Sequence, residues 1–389
     1  MRPVMIIGVG MTPFGKHLGA GVRKLSLAAI EEALKDAKIN GSEISRIYFG
    51  NAVAGIMAQQ ESVRGQVALR GHALAHKELI NIENACASGG SSFKLAWELV
   101  SSGTAEVALA VGVEQLNHEE RWRPFNALRG SMDIGEIGEQ KPGEMSANSI
   151  LMDYYAEVAR NFLKESDATV EDFARVAVKN RNHAMHNPLA HLRKPQTLEE
   201  VLSARSVVPP LTLPMCSPLT DGAAAILVAS EAFARRIDAD AVEIVTSQIA
   251  SGAGGDPVGA ASKKAYEAAA LGPKDFDLIE LHDAAAPAEL LQYGEIGLCP
   301  RGEEGTLIRS GDTALGGRIP VNVSGGLMSR GHPLGATGCA QIVELVTQLR
   351  RRAGTRQVEN ARTGFAVNGG GFMDGSYITS VATILRRPQ

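Results

Sequence analysis

The chain has 389 residues, well above the size at which one hydrophobic core stops growing, so two domains or two halves are expected. It is 44% hydrophobic and 21% charged, the balance of a soluble globular enzyme, and a formal net charge of -4 without a dense basic stripe argues against nucleic acid as its main partner. No apolar run approaches the roughly 20 residues of a membrane span, so no membrane partner is expected. Met1 to Gly10 lacks the basic region and cleavage site of a signal peptide and reads as a first strand. The tail Arg386-Arg387-Pro388-Gln389 is not a peroxisomal address. Four scattered cysteines (Cys86, Cys216, Cys299, Cys339) form no CxxC pair, which excludes a disulfide framework and a zinc site and points to a reducing cytoplasm.

In chain order, short β-branched runs at Val4–Val9, Arg46–Phe49, Leu79–Glu83 and Val107–Val111 alternate with amphipathic stretches at Leu25–Ala37 and Ser91–Val100. The last third repeats the scheme, with strand candidates Val242–Thr246, Leu278–Leu281, Val321–Ser324, Gly364–Val367 and Ile378–Ile384 and a helix over Gly338–Arg351. Such alternation predicts parallel sheet with crossover helices. Each third also holds a strand that runs into a small-residue turn and then a long helix, first at Glu83–Gly90 and again at Gly331–Gly338, the mark of a duplicated α/β unit. The middle is different: charged, helical over Asp153–Glu165 and Val170–Asn182, and broken by Pro/His-rich loops, as an insertion laid over the core would be. Gly222–Ser230 then returns to a buried-strand pattern. The expected division is 1–118 with 206–238, an insertion over 119–205, and 239–389.

Two segments carry chemistry. In Cys86-Ala87-Ser88-Gly89-Gly90 a thiol stands at the start of a helix, where the dipole and unpaired N–H groups favour the thiolate. The plain alternative is a buried structural cysteine. Gly331-His332-Pro333 holds an imidazole on a rigid turn before the second helix, and a histidine brought to Cys86 across the two halves would take its proton. The small residues from Asn322 to Gly338 suggest backbone crowded against a ligand.

The Cys86 segment, Gly112-Val113-Glu114, Asp221–Ala225, Asn322–Gly338 and the glycines Gly369–Gly371 together resemble the thiolase family in sequence and in order. His282-Asp283 is similar to the HDCF motif of its sterol-carrier-protein-2 subgroup. The resemblance implies the thiolase fold, an α/β arrangement of two duplicated βαβαβαββ halves in five αβαβα layers with an inserted loop domain. It implies a coenzyme A-dependent acyltransferase in which Cys86 takes the acyl group and His332 activates it. One oxyanion hole would come from His282 and His332, and a second from the N–H groups of Cys86 and Gly369. Contacts to CoA or substrate fall to Ser251, Gly252, Ala253, Asn322 and Gly370. Acyl-CoA and CoA would be substrates, with no tightly bound cofactor and no metal. A homodimer or dimer of dimers is implied, as is a small zinc-ribbon/OB-fold partner.

The pattern breaks at one point. Thiolases use a second cysteine to move the α-carbon proton, in a CxG motif or in HDCF. Here those positions are Val367 and Ala284, which carry no exchangeable proton. Three readings follow: a histidine (His282 or His332) moves the proton of an activated 3-oxoacyl-CoA, aryl- or carboxyl-substituted; the chain acylates an acidic carbon or phenolic acceptor; or it is a non-catalytic relative, disfavoured by the presence of Cys86. Cys299 and Cys339 read as structural. So does the His72/His76 pair, which has metal-like spacing but no evident carboxylate. His183, His186 and His191 fall where pocket-shaping loops are expected, and Arg121 and Arg123, beside Trp122, read as surface.

Overall fold

The computed structural model describes residues 2–138, 149–252 and 255–388. Nine strands form its main sheet: β1 (Val4–Met11), β2 (Arg46–Gly50), β3 (Glu78–Ile82), β4 (Val107–Glu114), β5 (Gly222–Ser230), β6 (Val242–Ser251), β7 (Leu278–Glu280), β8 (Thr363–Gly370) and β9 (Thr379–Arg386). Their spatial order is β3-β2-β4-β5-β1-β6-β9-β8-β7. The helices that matter for the site are α1 (Gly21–Ala37), α2 (Ser88–Ser101), α3 (Ile150–Glu165), α4 (Val170–Met185), α5 (Pro257–Ala269), α6 (Ala286–Glu295) and α7 (Thr337–Leu349).

Period-two alternation explains the layering. Met5 and Ile7, Ile47 and Phe49, Leu109 and Val111, and Ala225 and Leu227 face α1. Their sequence neighbours Ile6, Tyr48, Ala110 and Ile226 face the other way, onto Phe93 and Ala96 of α2 and Ile342 and Val346 of α7. The second half turns Ile244, Leu278, Ala366 and Leu385 toward the same two helices. Its opposite face, Phe365, Val367, Ala382 and Ile384, packs under α5, α6, α3 and α4. The layers are therefore helix, half-sheet, the α2–α7 pair, half-sheet, helix, as the thiolase resemblance requires.

Two expectations need correction. The sheet is mixed: β2 is parallel to β3 and β4, and β7 to β8, whereas β1, β4 and β5 are joined antiparallel, and so are β6, β8 and β9. Buried on both faces, β4 and β5 read as continuous apolar runs and do not reveal their direction. The second concerns Val321–Ser324, which is no full strand. Val321 makes a single parallel bridge to Ile279, and the chain then turns away because Asn322 adopts φ 57°.

Gly89, Gly335 and Gly338 meet backbone rather than a ligand, while Gly90 and Gly331 meet the side chains of Asn368 and Thr220. A Cβ on Gly338 would lie 2.8 Å from Gly90 Cα, one on Gly89 2.6 Å from Gly335 O, and one on Gly335 2.6 Å from Val113 O. Missing side chains are what let the N-terminal ends of α2 and α7 touch. Gly338→Ala must push those helices apart, so it should destabilise the protein by about 3 kcal/mol or more in a urea titration; a change under about 1 kcal/mol would refute this account of the contact.

Candidate active site

Cys86 follows β3 by a short turn and precedes α2, with Ala87 as the cap. The turn is strained: Ala85 has φ 47°. It is held by its neighbours, Asn84 N donating to Ser88 Oγ (2.9 Å) and Asn84 Nδ2 to Ser91 Oγ (2.8 Å). Gly370 closes it from behind, since a Cβ there would lie 2.7 Å from Ala87 N.

His332 and His282 arrive from the other half, and their rings meet edge-on with centroids 5.0 Å apart. One ligand-type atom from each of Cys86, His282 and His332 lies within 4.8 Å of the others. The tautomers follow from the partners. Thr337 Oγ1 donates its only proton to Pro333 O (3.0 Å) and is 2.7 Å from His332 Nδ1, so Nδ1 carries the proton and Nε2 is free to accept one. Asn368 Nδ2 lies 3.2 Å from His282 Nδ1, which must accept, so His282 Nε2 carries a proton. That buried Nε2 has no partner among the described residues and is a donor waiting for an acceptor. Asn368 also donates to Cys86 O (3.1 Å) and accepts from Gly90 N (3.2 Å), binding both halves at the reactive centre.

Burial rules the electrostatics. The Cys86 thiol is pushed up to about 12 by desolvation and then by the charge of Glu114, despite the N–H groups of Cys86 itself and Gly371. The N–H groups at the helix start do favour the thiolate, but removing a charge from water outweighs them. His332 is pushed down to about 3 by burial and then by Arg330. Burial, His332 and Arg330 likewise hold His282 well below its ordinary value. The resting pair is a neutral thiol beside a neutral imidazole.

Cys86 and His332 line a cavity of about 240 Å³ whose other walls include Leu116, Phe125, Leu151, Met152, Tyr155 and Ala284. The other sequence-stated positions are scattered. Ser251 and Gly370 line a separate cleft of about 420 Å³ beside the Asn84–Ala85 turn. Gly252 is exposed and donates to Ile378 O (3.0 Å), while Ala253 lies outside the described residues. Asn322 is fully buried and away from both: Leu281 N donates to its Oδ1 (2.7 Å) and its Nδ2 donates to Glu289 (2.6 Å), so its side chain builds the fold. The glycine N–H on the Cys86 sulfur is that of Gly371, whereas Gly369 packs under the Tyr377 ring. His183 is also structural, its Nδ1 donating to Asn322 O (3.0 Å) and its Nε2 accepting from Leu315 N (2.9 Å). His72 does have a carboxylate partner, Glu31 at 2.7 Å. Cys339 is buried in α7, its thiol donating to Gly89 O (3.4 Å), and Cys299 is half-buried. Arg123 pairs with Glu120. Sequence reasoning missed the roles of Thr337, Asn368, Gly371, Tyr155 and Tyr377; Thr337 and Gly371 lay inside segments already singled out, and Asn368 directly before one of them.

The model of the "Thiolase, N-terminal domain" matches residues 4–232 and that of the "Thiolase C-terminal domain-like" family residues 245–386. The chain belongs to the thiolase family. It is a thiolase-type acyltransferase by that membership. Among its relatives are the benzoylsuccinyl-CoA thiolase subunit BbsB of Thauera aromatica, 36% identical over 92% of each chain, and an acetyl-CoA acetyltransferase of Methanothermobacter thermautotrophicus, 36% identical over 95% of this chain and 97% of the other. Human sterol carrier protein 2 is 34% identical over 95% of this thiolase and 70% of its own length. Human mitochondrial 3-ketoacyl-CoA thiolase shares the fold at TM-score 0.72 and 20% identity, covering 100% and 99% of the two chains. An Ltp2-ChsH2(DUF35) aldolase structure does so at 0.80 and 24%, covering 99% and 98%. Among the described residues no helix is long and apolar enough to cross a membrane.

A raised thiol pKa makes the resting sulfur a poor nucleophile. Alkylation of Cys86 by iodoacetamide, read from its peptide mass, should climb about tenfold per pH unit from pH 7 to 10. Levelling off above about pH 9 would mean an ordinary thiol. Thr337→Val frees the His332 tautomer and should slow Cys86 acylation by on the order of 10²-fold; an unchanged rate removes Thr337 from the site.

Proposed function

We propose that this thiolase cleaves a 3-oxoacyl-CoA with CoA through an acyl-Cys86 intermediate. One observation carries the reading: the Cys86 thiol and one ring nitrogen each of His282 and His332 meet within 4.8 Å, beside an apolar cavity that Cys86 and His332 line, and His282 Nε2 there has no partner among the described residues. His332 Nε2 takes the Cys86 proton as sulfur adds to the C3 carbonyl. Cys86 N–H and a glycine N–H of the 369–371 turn hold the oxyanion. Collapse breaks C2–C3 and leaves the electron pair on C2, enolised into the departing thioester, whose oxygen is held by His282 Nε2–H. Fixed donors of this kind each lower such barriers by about 3 kcal/mol. After C2 is protonated, CoA sulfur displaces the acyl group from Cys86.

The apolar, partly aromatic lining suits an acyl group with an aryl or extended hydrocarbon body. The working unit is a homodimer or dimer of dimers: β3 is a sheet edge, and Ile80 on it and nearby Val63 and Val67 are exposed. A second reading, carbon–carbon bond formation on an activated acceptor with a small zinc-ribbon/OB-fold partner, is favoured by the missing second cysteine and by the word "subunit" in the name of the Thauera relative. Lipid degradation in the cytoplasm is the setting this chemistry suits.

Incubation with acetyl-CoA, hexanoyl-CoA and benzoyl-CoA should add the matching acyl mass at Cys86, and Cys86→Ala should abolish both the adduct and thiolysis. No adduct from any donor would sink the reading. His282→Ala should slow thiolysis by on the order of 10²-fold. Full activity of the lone chain would remove the partner.

A further inference from the structure

The reaction needs a proton at C2, and Val367 and Ala284 have none to give. The cavity wall carries several other groups with exchangeable protons, Ser149, Arg205, Cys216, Ser217 and Tyr155, of which Tyr155 alone is hydrogen-bonded toward the His282 turn through a second phenol. Cys216 sits beside the Ala284-Ala285 turn, bridged to Ala285, but its thiol is directed at Thr212 O at 3.6 Å. Tyr155 is differently tied. Its hydroxyl donates to the Tyr377 hydroxyl (3.3 Å), which donates to the backbone oxygen of His282 (3.0 Å). The Tyr377 ring stands edge-on to the His282 ring at 5.2 Å and lies on Gly369. Phe372 packs on both tyrosines and fixes the pair. The two phenols therefore occupy the space around His282 and Gly369, where a conventional second cysteine would act.

We propose that Tyr155, backed by Tyr377, is the proton carrier that stands in for the absent second cysteine; this rests on the acyl-Cys86 reading. Tyr155 O–H gives its proton to C2 as the C2–C3 bond breaks, and the Tyr377 hydroxyl turns its proton to the resulting phenolate. When CoA enters, its S–H proton returns to Tyr155 oxygen as the CoA sulfur attacks acyl-Cys86, and the proton held on His332 goes back to the Cys86 sulfur that leaves. Protons and charge balance, and no further reactant is needed. Burial raises the pKa of both phenols, and a charge on Cys86 raises them further, which also places them within electrostatic reach of the nucleophile. Such a group keeps its proton until a carbanion forms; the raised pKa weakens it as an acid, but a carbanion beside a thioester is a stronger base than the phenolate and still takes the proton.

The test separates acylation from proton transfer. Tyr155→Phe and Tyr377→Phe keep the ring packing, and a thermal melt verifies folding. Acylation of Cys86 is read by intact mass, and α-proton exchange of acetyl-CoA and hexanoyl-CoA by NMR in D2O. In Tyr155→Phe exchange should fall on the order of 10²-fold and acylation far less. Tyr377→Phe, a positioning change, should slow exchange by a smaller factor and shift its pH profile. Equal losses of acylation and exchange in Tyr155→Phe, or exchange that survives there but vanishes in Cys216→Ala, overturn the assignment. Failure of the unaltered chain to acylate Cys86 at all takes down the acyl-transfer reading and this assignment with it.

Discussion

Everything at the reactive centre depends on one contact, the glycine-to-glycine approach of α2 and α7. Among the described residues the half-sheets join only where β1 meets β6, at Met5 with Glu243 and Ile6 with Val242. That seam is too short to set the relative position of Cys86 and His332 by itself. The helix ends do it, because their backbones approach where Gly89, Gly90, Gly335 and Gly338 have no side chains. Polar ties then lock the contact: Asn368 reaches Cys86 O and Gly90 N, and Glu114 Oε2 accepts from Ala52 N and Gly335 N. Glu114 is a carboxylate pushed up to about 7 by burial, yet its oxygens are spent on backbone N–H groups of both halves. It positions the His332 turn and has no free face toward the cavity.

The same burial that brings these groups together also silences them. A thiol at about 12 beside an imidazole at about 3 does not form an ion pair at rest. In the proposed acyl transfer, chemistry begins only when a bound carbonyl offers an oxygen on which negative charge develops against fixed donors. This arrangement spares Cys86 from adventitious electrophiles and oxidants, which act on the thiolate. Substrate binding and nucleophile activation become one event.

The sequence revealed what repeats locally and concealed what depends on distant partners. Strand runs such as Val107–Val111 were legible because β-branched residues cluster, and α1 and α7 because their apolar residues follow a helical period. The direction of β4 and β5 was not, since strands buried on both faces carry no alternation to read. The glycine string was legible as crowding, but whether against ligand or backbone depends on α2, far away in the chain. Cys86 and His332 could be paired because each lies in a local turn-to-helix signal. Thr337, one turn past His332, and Asn368, between the two positions where a CxG cysteine and glycine are sought, needed coordinates to show what they orient. Tyr155 had no signal: one aromatic in an amphipathic insertion helix looks like any core residue, and its meaning comes from Tyr377, which lies beyond the final glycines.

That last pairing changes how the insertion should be understood. α3 supplies Tyr155 and much of the cavity wall, and α4 is pinned to the second half by a buried network. In it Lys179 pairs with Glu289 at 2.8 Å, and Asn180 donates to Glu289 (2.7 Å) and to Asp283 (2.8 Å). A buried ion pair contributes little net stability once desolvation is counted, but breaking one side is costly, so it enforces a single geometry. Asp283 follows His282 directly and also accepts from Leu327 N (2.7 Å). Asp283, and with it the turn that carries His282, is therefore fixed by α4 in the helix layer over the second half-sheet. The His282-Asp283 turn and α4 are thus joined in one buried hydrogen-bond network, so the turn's position is set in part by a helix that lies outside the sheet.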